Sequence, residues 1–101
     1  MRGVVRSGIG FPEIIMLDND KHVINHLKRA WSEGQQSRFG ENQEEFVRIT
    51  KERLTWGSRR KHNGIIADLF SIDRKSGAYT WLDSSGTEIA HGACELPDLT
   101  S

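Results

Sequence analysis

The last third of the chain alternates apolar and polar positions with a period of two. The runs GIIADLFSI, GAYTWL and TEIAHGAC are short, and the segments DRKSG and DSSG separate them. Both separators are rich in turn-forming residues, and alternation with a period of two is typical of strands that bury one face. The sequence therefore predicts a three-stranded antiparallel meander, with Tyr79 and Trp81 on the same face of its middle strand.

Two earlier segments show apolar residues three and four positions apart, which is the spacing of an amphipathic helix. The first predicted helix covers residues 21–33 and ends at Gly34, and its apolar positions are Val23, Ile24, Leu27, Ala30 and Trp31. The second covers residues 42–56 and ends at Gly57, with Phe46, Ile49 and Trp56 along one stripe. Acidic residues occupy the first turn of this second helix and basic residues its later turns, as a helix dipole favours.

These elements predict an α+β fold. The apolar run FPEIIML, which ends at a polar cluster, adds an N-terminal strand and makes the element order β-α-α-β-β-β. A chain of 101 residues fits one domain. Residues 1–10 are predicted to form a flexible arm, and Met16 is an alternative start of the native chain.

Composition restricts the class of protein. The chain is 36% hydrophobic and 28% charged, as ordinary folded proteins are, and no apolar run reaches the roughly 18–20 residues of a membrane span. Cys94 is the single cysteine, so an internal disulfide is excluded and a cytoplasmic setting is predicted. The net charge is zero, but residues 1–62 carry +4 and residues 63–101 carry −4. Such an uneven distribution of charge along the chain suits a protein that binds an anion at one end.

The segment WGSRRKHNG concentrates positive charge between the second predicted helix and the meander. Arg59, Arg60 and Lys61 are suited to hold phosphate oxygens, and the next residue is His62, a candidate proton-transfer group. Tyr79 and Trp81 on a nearby strand are suited to stack an unpaired base. The alternative is purely structural: the cations close the C-terminus of the helix, and the two aromatic residues belong to the core.

Metal binding and nucleophilic catalysis have little support in the sequence. His22 and His26 lie four residues apart on a predicted helix, but no third ligand is evident, and neither a metal nor a cofactor is predicted. His91 and Cys94 are three apart in a predicted strand, so their side chains are expected on opposite faces. The segment GQQSRFGE between the predicted helices is too long for the turn of a helix-turn-helix motif.

The runs RFGENQEEFVRITKERLTWGSRRKHNG and LFSIDRKSGAYTWLDSSGTEIAHG resemble the small ribonuclease toxin domains of the colicin D, barnase and RelE-like group. The resemblance spans roughly residues 27–96 and rests on Phe39-Gly40, on Thr55, Gly57 and Arg59, and on the two turns of the meander. It implies cleavage of RNA without a metal. His62 or His91 would then transfer the proton, while Arg59, Arg60 and Lys61 stabilise the charged phosphate and Trp81 contacts the base. The family's lysine-histidine cluster before the FG pair is absent here.

Two functional hypotheses follow. The first is a domain that engages RNA in the manner of these toxins. The second is a non-enzymatic interaction module, such as an inhibitor or adaptor encoded by a mobile element, with a protein partner of the immunity or target type. Small neutral domains without a catalytic cluster often serve in the second way, but the first is preferred here because it makes the sharper claims. A homodimer is possible. The first requires the cationic loop, His62 and the Tyr79/Trp81 face to converge on one concave surface.

Overall fold

The computed structural model describes residues 2–7, 12–18, 21–26 and 29–94, and these form an antiparallel sheet of nine strands. The strands are β1 Arg2–Ser7, β2 Pro12–Asp18, β3 Val23–His26, β4 Arg29–Trp31, β5 Gln43–Ile49, β6 Arg53–Arg60, β7 Ile66–Asp73, β8 Ala78–Leu82 and β9 Glu88–Cys94. Their order in the sheet is β4-β3-β2-β1-β9-β8-β7-β6-β5. Strands that are consecutive in sequence therefore pair, except β4 and β5 at the two ends of this order, and β1 also pairs with β9.

The predicted α+β class is wrong, because no helix forms in the part of the chain that the structure describes. The segment predicted as the first helix contains β3 and β4, and the segment predicted as the second contains the hairpin of β5 and β6. In this hairpin, Thr50 accepts a hydrogen bond from the Arg53 N–H and donates one to the Arg53 carbonyl, both at 3.0 Å. A turn of this kind breaks the helical pattern, and pairing between strands overrides the helix propensity of the charged residues around it.

The four predicted strands are confirmed as local elements. Residues 12–17 of the run FPEIIML lie in β2, and the three runs of the meander correspond to β7, β8 and β9. β1 lies within the segment predicted as a flexible arm and pairs with β2 and with β9. No helix in the described part is long and apolar enough to cross a membrane.

The two ends of the strand order meet, so the sheet closes into a roll. The segment after β4 runs along β5: the Gly34 N–H donates to the Glu45 carbonyl at 3.0 Å, and the Glu45 N–H donates to the Gln35 carbonyl at 2.7 Å. The Ser37 N–H continues this pairing to the Gln43 carbonyl at 3.0 Å. Backbone groups on that side of β5 therefore have partners within the chain, as buried or paired strands require.

The core fills the inside of this roll and is strongly aromatic. It is built from Ile15, Leu17, Ile24, Trp31, Leu54, Trp56, Phe70, Ile72 and Tyr79, which come from six strands. His26 lies among these rings, edge-on to Trp56 at 5.3 Å and to Phe70 at 5.1 Å between centroids. Its Nδ1 accepts a hydrogen bond of 3.2 Å from the Trp56 indole N–H, which satisfies a polar group that is otherwise costly to bury.

Two aspartates organise the meander turns, and they make the fold sensitive to acid. Asp73 accepts hydrogen bonds from the Ser76 and Lys75 N–H groups, and Asp83 accepts them from the Ser85 hydroxyl and from the Ser85 and Thr87 N–H groups. These bonds lower the pKa of both carboxyls below the ordinary value of 3.8. Each contribution to stability is therefore complete above the unfolded-state value and is lost as the pH falls through the folded-state pKa.

We expect the melting temperature to fall as the pH is lowered from about 5 to about 3, followed by circular dichroism. The double variant Asp73→Asn, Asp83→Asn should melt lower than the parent at neutral pH and should change less over the acid range. Equal acid dependence in the parent and the variant would contradict this assignment.

Candidate functional site

Tyr79, proposed as a base-stacking residue, lies inside the core. Its side chain is 2% exposed, and its ring contacts those of His26 and Trp56 at 6.0 and 6.4 Å between centroids. The next residue, Thr80, is opposite His91 in the β8–β9 register. Because successive side chains of a strand alternate between faces, Tyr79 points into the roll and His91 lies on its outer face.

Trp81 forms part of the wall around the core. It is half-buried, its ring lies 4.9 Å from that of Phe70, and its indole N–H donates to Asp68 Oδ1 at 3.3 Å. Asp68 also lies 3.2 Å from the Ser58 hydroxyl, which is fully buried. The indole is thus held by packing and by a carboxylate at the inner side of the sheet.

Arg59 is engaged by two carboxylates. Its Nε donates to Glu44 at 2.9 Å, and its Nη2 donates to Glu33 at 2.5 Å. The hydrogen bond to Glu44 is the main reason that the pKa of Arg59 is raised, and Glu33 adds to it. The guanidinium also lies over the Phe46 ring, 5.8 Å from its centroid. Arg59 therefore joins the segment after β4 to β5 and β6, and its charge is already compensated.

Arg60, Lys61 and His62 lie at the exposed turn between β6 and β7. In the part of the chain that the structure describes, no carboxylate forms an ion pair with Arg60 or Lys61. His62 Nε2 lies 3.1 Å from the Asn63 side-chain nitrogen, whereas His91 Nδ1 lies 3.2 Å from Glu88 on β9. The two histidines belong to different elements and have different neighbours.

The site residues predicted from sequence therefore do not converge on one concave surface. The structure brings together Arg60, Lys61 and His62, which are contiguous in sequence. It places Tyr79 in the core, Arg59 between two acids and His91 on the outer face of β9.

The histidine pair considered as a metal site is also separated. His22 is exposed in a turn with φ of 53°, while His26 is 1% exposed in the aromatic core. Among the described residues, no three His, Cys, Asp or Glu side chains are grouped so as to hold a metal ion. The Cys94 side chain lies outside the described set.

Sequence reasoning missed the exposed apolar side chains on the two loops beside the cationic turn. Ile65 is 50% exposed, Ile66 41% and Phe39 39%. Phe39 lies on the loop that precedes β5, with the Arg38 guanidinium over its ring at 5.8 Å. The signal in the sequence was the pair of isoleucines directly after Asn63-Gly64. These were interpreted as the first apolar residues of a strand, so their exposure was not predicted.

The two loops that carry these side chains lie side by side at one end of the roll. The Lys61 N–H donates to the Asn42 carbonyl at 2.9 Å, and Arg60 is opposite Gln43 in the β5–β6 register. The Arg60 N–H donates to the Ile65 carbonyl at 2.8 Å, which places Ile65 across the turn. We call residues 38–42 and 60–66 together the two-loop surface. It combines three exposed apolar side chains with Arg38, Arg60 and Lys61 against one acid, Glu41.

Behind this surface, a polar row crosses the inner face of the sheet. Glu45, Ser58 and Asp68 are directly opposite one another on β5, β6 and β7. Glu45 is fully buried, and burial raises the pKa of its carboxyl, although the Ser32 N–H and the Arg29 guanidinium stabilise its charged form. Arg29 and Ser32 belong to β4 and the segment after it, so Glu45 links β5 to the segment that closes the roll.

Comparison with protein-family models, with curated proteins and with solved structures finds no match to this chain.

Proposed function

We propose that this protein is a non-enzymatic binding module whose two-loop surface docks an acidic segment of a partner protein that also carries apolar side chains. The observation that carries the proposal is the exposure of Ile65 and Ile66 next to Arg60 and Lys61, two cations that no described carboxylate neutralises. Exposed apolar residues grouped in this way are characteristic of surfaces that another molecule covers.

The charge of the surface indicates the chemistry of the partner. Arg38, Arg60 and Lys61 stand against Glu41, so the surface attracts carboxylates, and the attraction is strongest at low ionic strength. Phe39, Ile65 and Ile66 supply apolar area that gains free energy when covered, at about 25 cal/mol per Å² removed from water. An acidic segment with apolar side chains satisfies both properties together.

A protein partner fits these side chains better than RNA does. Isoleucine has no planar face on which a base can stack. Of the two aromatic residues proposed for stacking, Tyr79 is buried, and Trp81 is half-buried against Phe70 with its N–H bound to Asp68. Arg59 is likewise compensated by Glu33 and Glu44 rather than open to phosphate. RNA is therefore the alternative ligand, and the experiment below distinguishes it from a protein partner.

The test is a selection from a random peptide library displayed on phage, followed by affinity measurement of individual synthetic peptides by fluorescence anisotropy. Selected peptides should be enriched in Asp, Glu and apolar residues, and their affinity should fall as salt is added. The double variant Arg60→Glu, Lys61→Glu should weaken binding tenfold or more, because like charges facing each other oppose docking by about 1.4 kcal/mol or more.

The matched control is Arg48→Glu with Lys51→Glu, the same change of charge at the opposite end of the β5–β6 hairpin, where both side chains are exposed. This control should bind the selected peptides like the parent. Peptides without acidic enrichment, or equal loss in both variants, would refute the docking surface. Retention of a random single-stranded RNA pool that only the Arg60/Lys61 variant loses would replace the protein partner with RNA.

A further inference from the structure

The tip of the two-loop surface has an exposed Asn-Gly pair, and the lack of a side chain at Gly64 makes this pair open to a covalent change. Asn63 and Gly64 are exposed, Gly64 has φ of +72°, and open space surrounds the position where a Cβ would stand. A glycine nitrogen can approach the preceding asparagine side chain more closely than that of any other residue, since glycine carries no side chain to obstruct it. The asparagines at 25 and 42 are followed by His26 and Gln43 instead.

We propose that Asn63 is a site of spontaneous deamidation, with His62 as the proton donor, and that the reaction lowers the positive charge of the two-loop surface. The Gly64 backbone nitrogen loses its proton and forms a bond to Asn63 Cγ, and the Cγ–Nδ2 bond breaks. Nδ2 takes up a proton and leaves as ammonia, which gives a five-membered succinimide. Water then opens the ring at one of its two carbonyls and leaves aspartate or isoaspartate at position 63.

His62 is placed to serve the leaving group. Its Nε2 lies 3.1 Å from Asn63 Nδ2, the nitrogen that departs. An unprotonated imidazole nitrogen accepts a hydrogen bond from the amide NH2 group. A protonated one can donate to Nδ2 once ring closure has made Cγ tetrahedral, because Nδ2 then has a free lone pair. The same contact therefore allows His62 to deliver a proton to Nδ2 as the Cγ–Nδ2 bond breaks.

Two hydrogen bonds oppose the reaction and set its pace. The Gly64 N–H donates to the Arg60 carbonyl at 2.8 Å, and Asn63 Oδ1 accepts from the Ile65 N–H at 2.9 Å. The Gly64 nitrogen must leave Arg60 before it can attack. Such a bond in an exposed turn is broken a substantial fraction of the time, so it slows the reaction by roughly tenfold or less.

The consequence for binding rests on the proposed function. A carboxylate at position 63 stands two residues from Lys61 and two from Ile65, at the centre of the cationic turn. It raises the number of acids on the two-loop surface from one to two, against the same three cations. A partner segment rich in carboxylates would then be repelled, so the surface loses affinity as the protein ages.

The experiment uses the whole chain, incubated at neutral pH and body temperature for increasing times and then digested for mass spectrometry. Conversion at Asn63 should exceed that at Asn25 and Asn42 in the same sample by tenfold or more. His62→Ala should slow conversion at Asn63 severalfold, and Asn63→Gln should remove it, because a glutamine would have to close a larger ring. Ion-exchange chromatography then separates the aged form for anisotropy with the selected acidic peptides, where it should bind more weakly than fresh protein.

The outcomes separate this inference from the proposed function. Conversion at Asn63 no faster than at Asn42, or equal rates with and without His62, overturns the inference whatever the peptides show. Fast conversion with unchanged peptide affinity overturns the loss of binding, while the Arg60→Glu, Lys61→Glu variant still decides whether the surface docks peptides. If peptides bind neither form, the docking proposal fails, and the rate comparison alone decides the site of modification.

Discussion

Replacing Gly57 by alanine is expected to destabilise the protein by about 3 kcal/mol or more, or to prevent folding. A Cβ at this position would lie 2.0 Å from the Asp68 carbonyl oxygen and 2.9 Å from its carbon, both backbone atoms of the neighbouring strand β7. It would also come within 3.2 Å of the Phe46 ring. The backbone of a paired strand cannot move aside without loss of the β6–β7 pairing. The substitution is therefore expected to weaken the hydrogen bonds between these two strands.

The measurement is urea unfolding followed by tryptophan fluorescence. Gly40→Ala is the matched control, because a Cβ there meets only the flexible Gln43 side chain, at 3.6 Å or more. We expect Gly40→Ala to change the free energy of unfolding by less than about 1 kcal/mol. Similar stability of the two alanine variants would show that β6 and β7 do not approach each other at Gly57 as the structure has them.

Replacing Trp56 by alanine is expected to cost about 3–5 kcal/mol, the usual range for removing a buried aromatic side chain. Trp56 is completely buried, and its ring stacks on Phe70 at 5.6 Å with an angle of 12° between planes. Its N–H also donates to His26 Nδ1. The loss combines a cavity at the centre of the roll with the removal of a buried hydrogen bond.

Trp56→Phe separates the two contributions. The smaller ring keeps most of the contact with Phe70 but cannot donate to His26, so we expect a loss of about 1–3 kcal/mol in urea unfolding. Trp81→Phe is the comparison at a half-buried position, where the indole N–H binds Asp68. A loss for Trp56→Phe as large as that for Trp56→Ala would contradict the packing described for this ring.

The sequence pattern predicted strands correctly where period-two alternation lies between clear turns. It predicted helices wrongly where the apolar residues of two strands joined by a short turn fall at helical spacing. In the 42–56 segment, Phe46 and Trp56 were assigned to one stripe. The register places Phe46 opposite Gly57 and Val47 opposite Trp56, so Phe46 packs on the outer face and Trp56 in the core. Spacing within a single segment cannot distinguish these cases, because the hairpin reverses the chain at Thr50 and superimposes two period-two patterns.

The candidate site, like the fold, could be predicted from the sequence only in part. Exposure of Arg60, Lys61 and His62 follows from a run of polar residues beside a glycine, which the sequence displays. The capture of Arg59 by Glu33, and the approach of the Phe39 loop to Lys61, depend on the pairing of residues 34–37 with β5. Such contacts between residues distant in sequence leave no local pattern, and without related sequences nothing else in the chain predicts them.

The pairing of β1 with β9 affects how the chain folds while it is being synthesised. Val5 lies opposite Cys94, and Ser7 lies opposite Gly92, so the first strand depends on the last one. On the ribosome, the N-terminal strands emerge early and must wait for Glu88–Cys94 before the wall of the roll is complete. Contacts between such distant segments slow folding. Until β9 has been synthesised, core side chains of the nascent chain such as Ile15 and Ile24 are therefore exposed to chaperones or to one another.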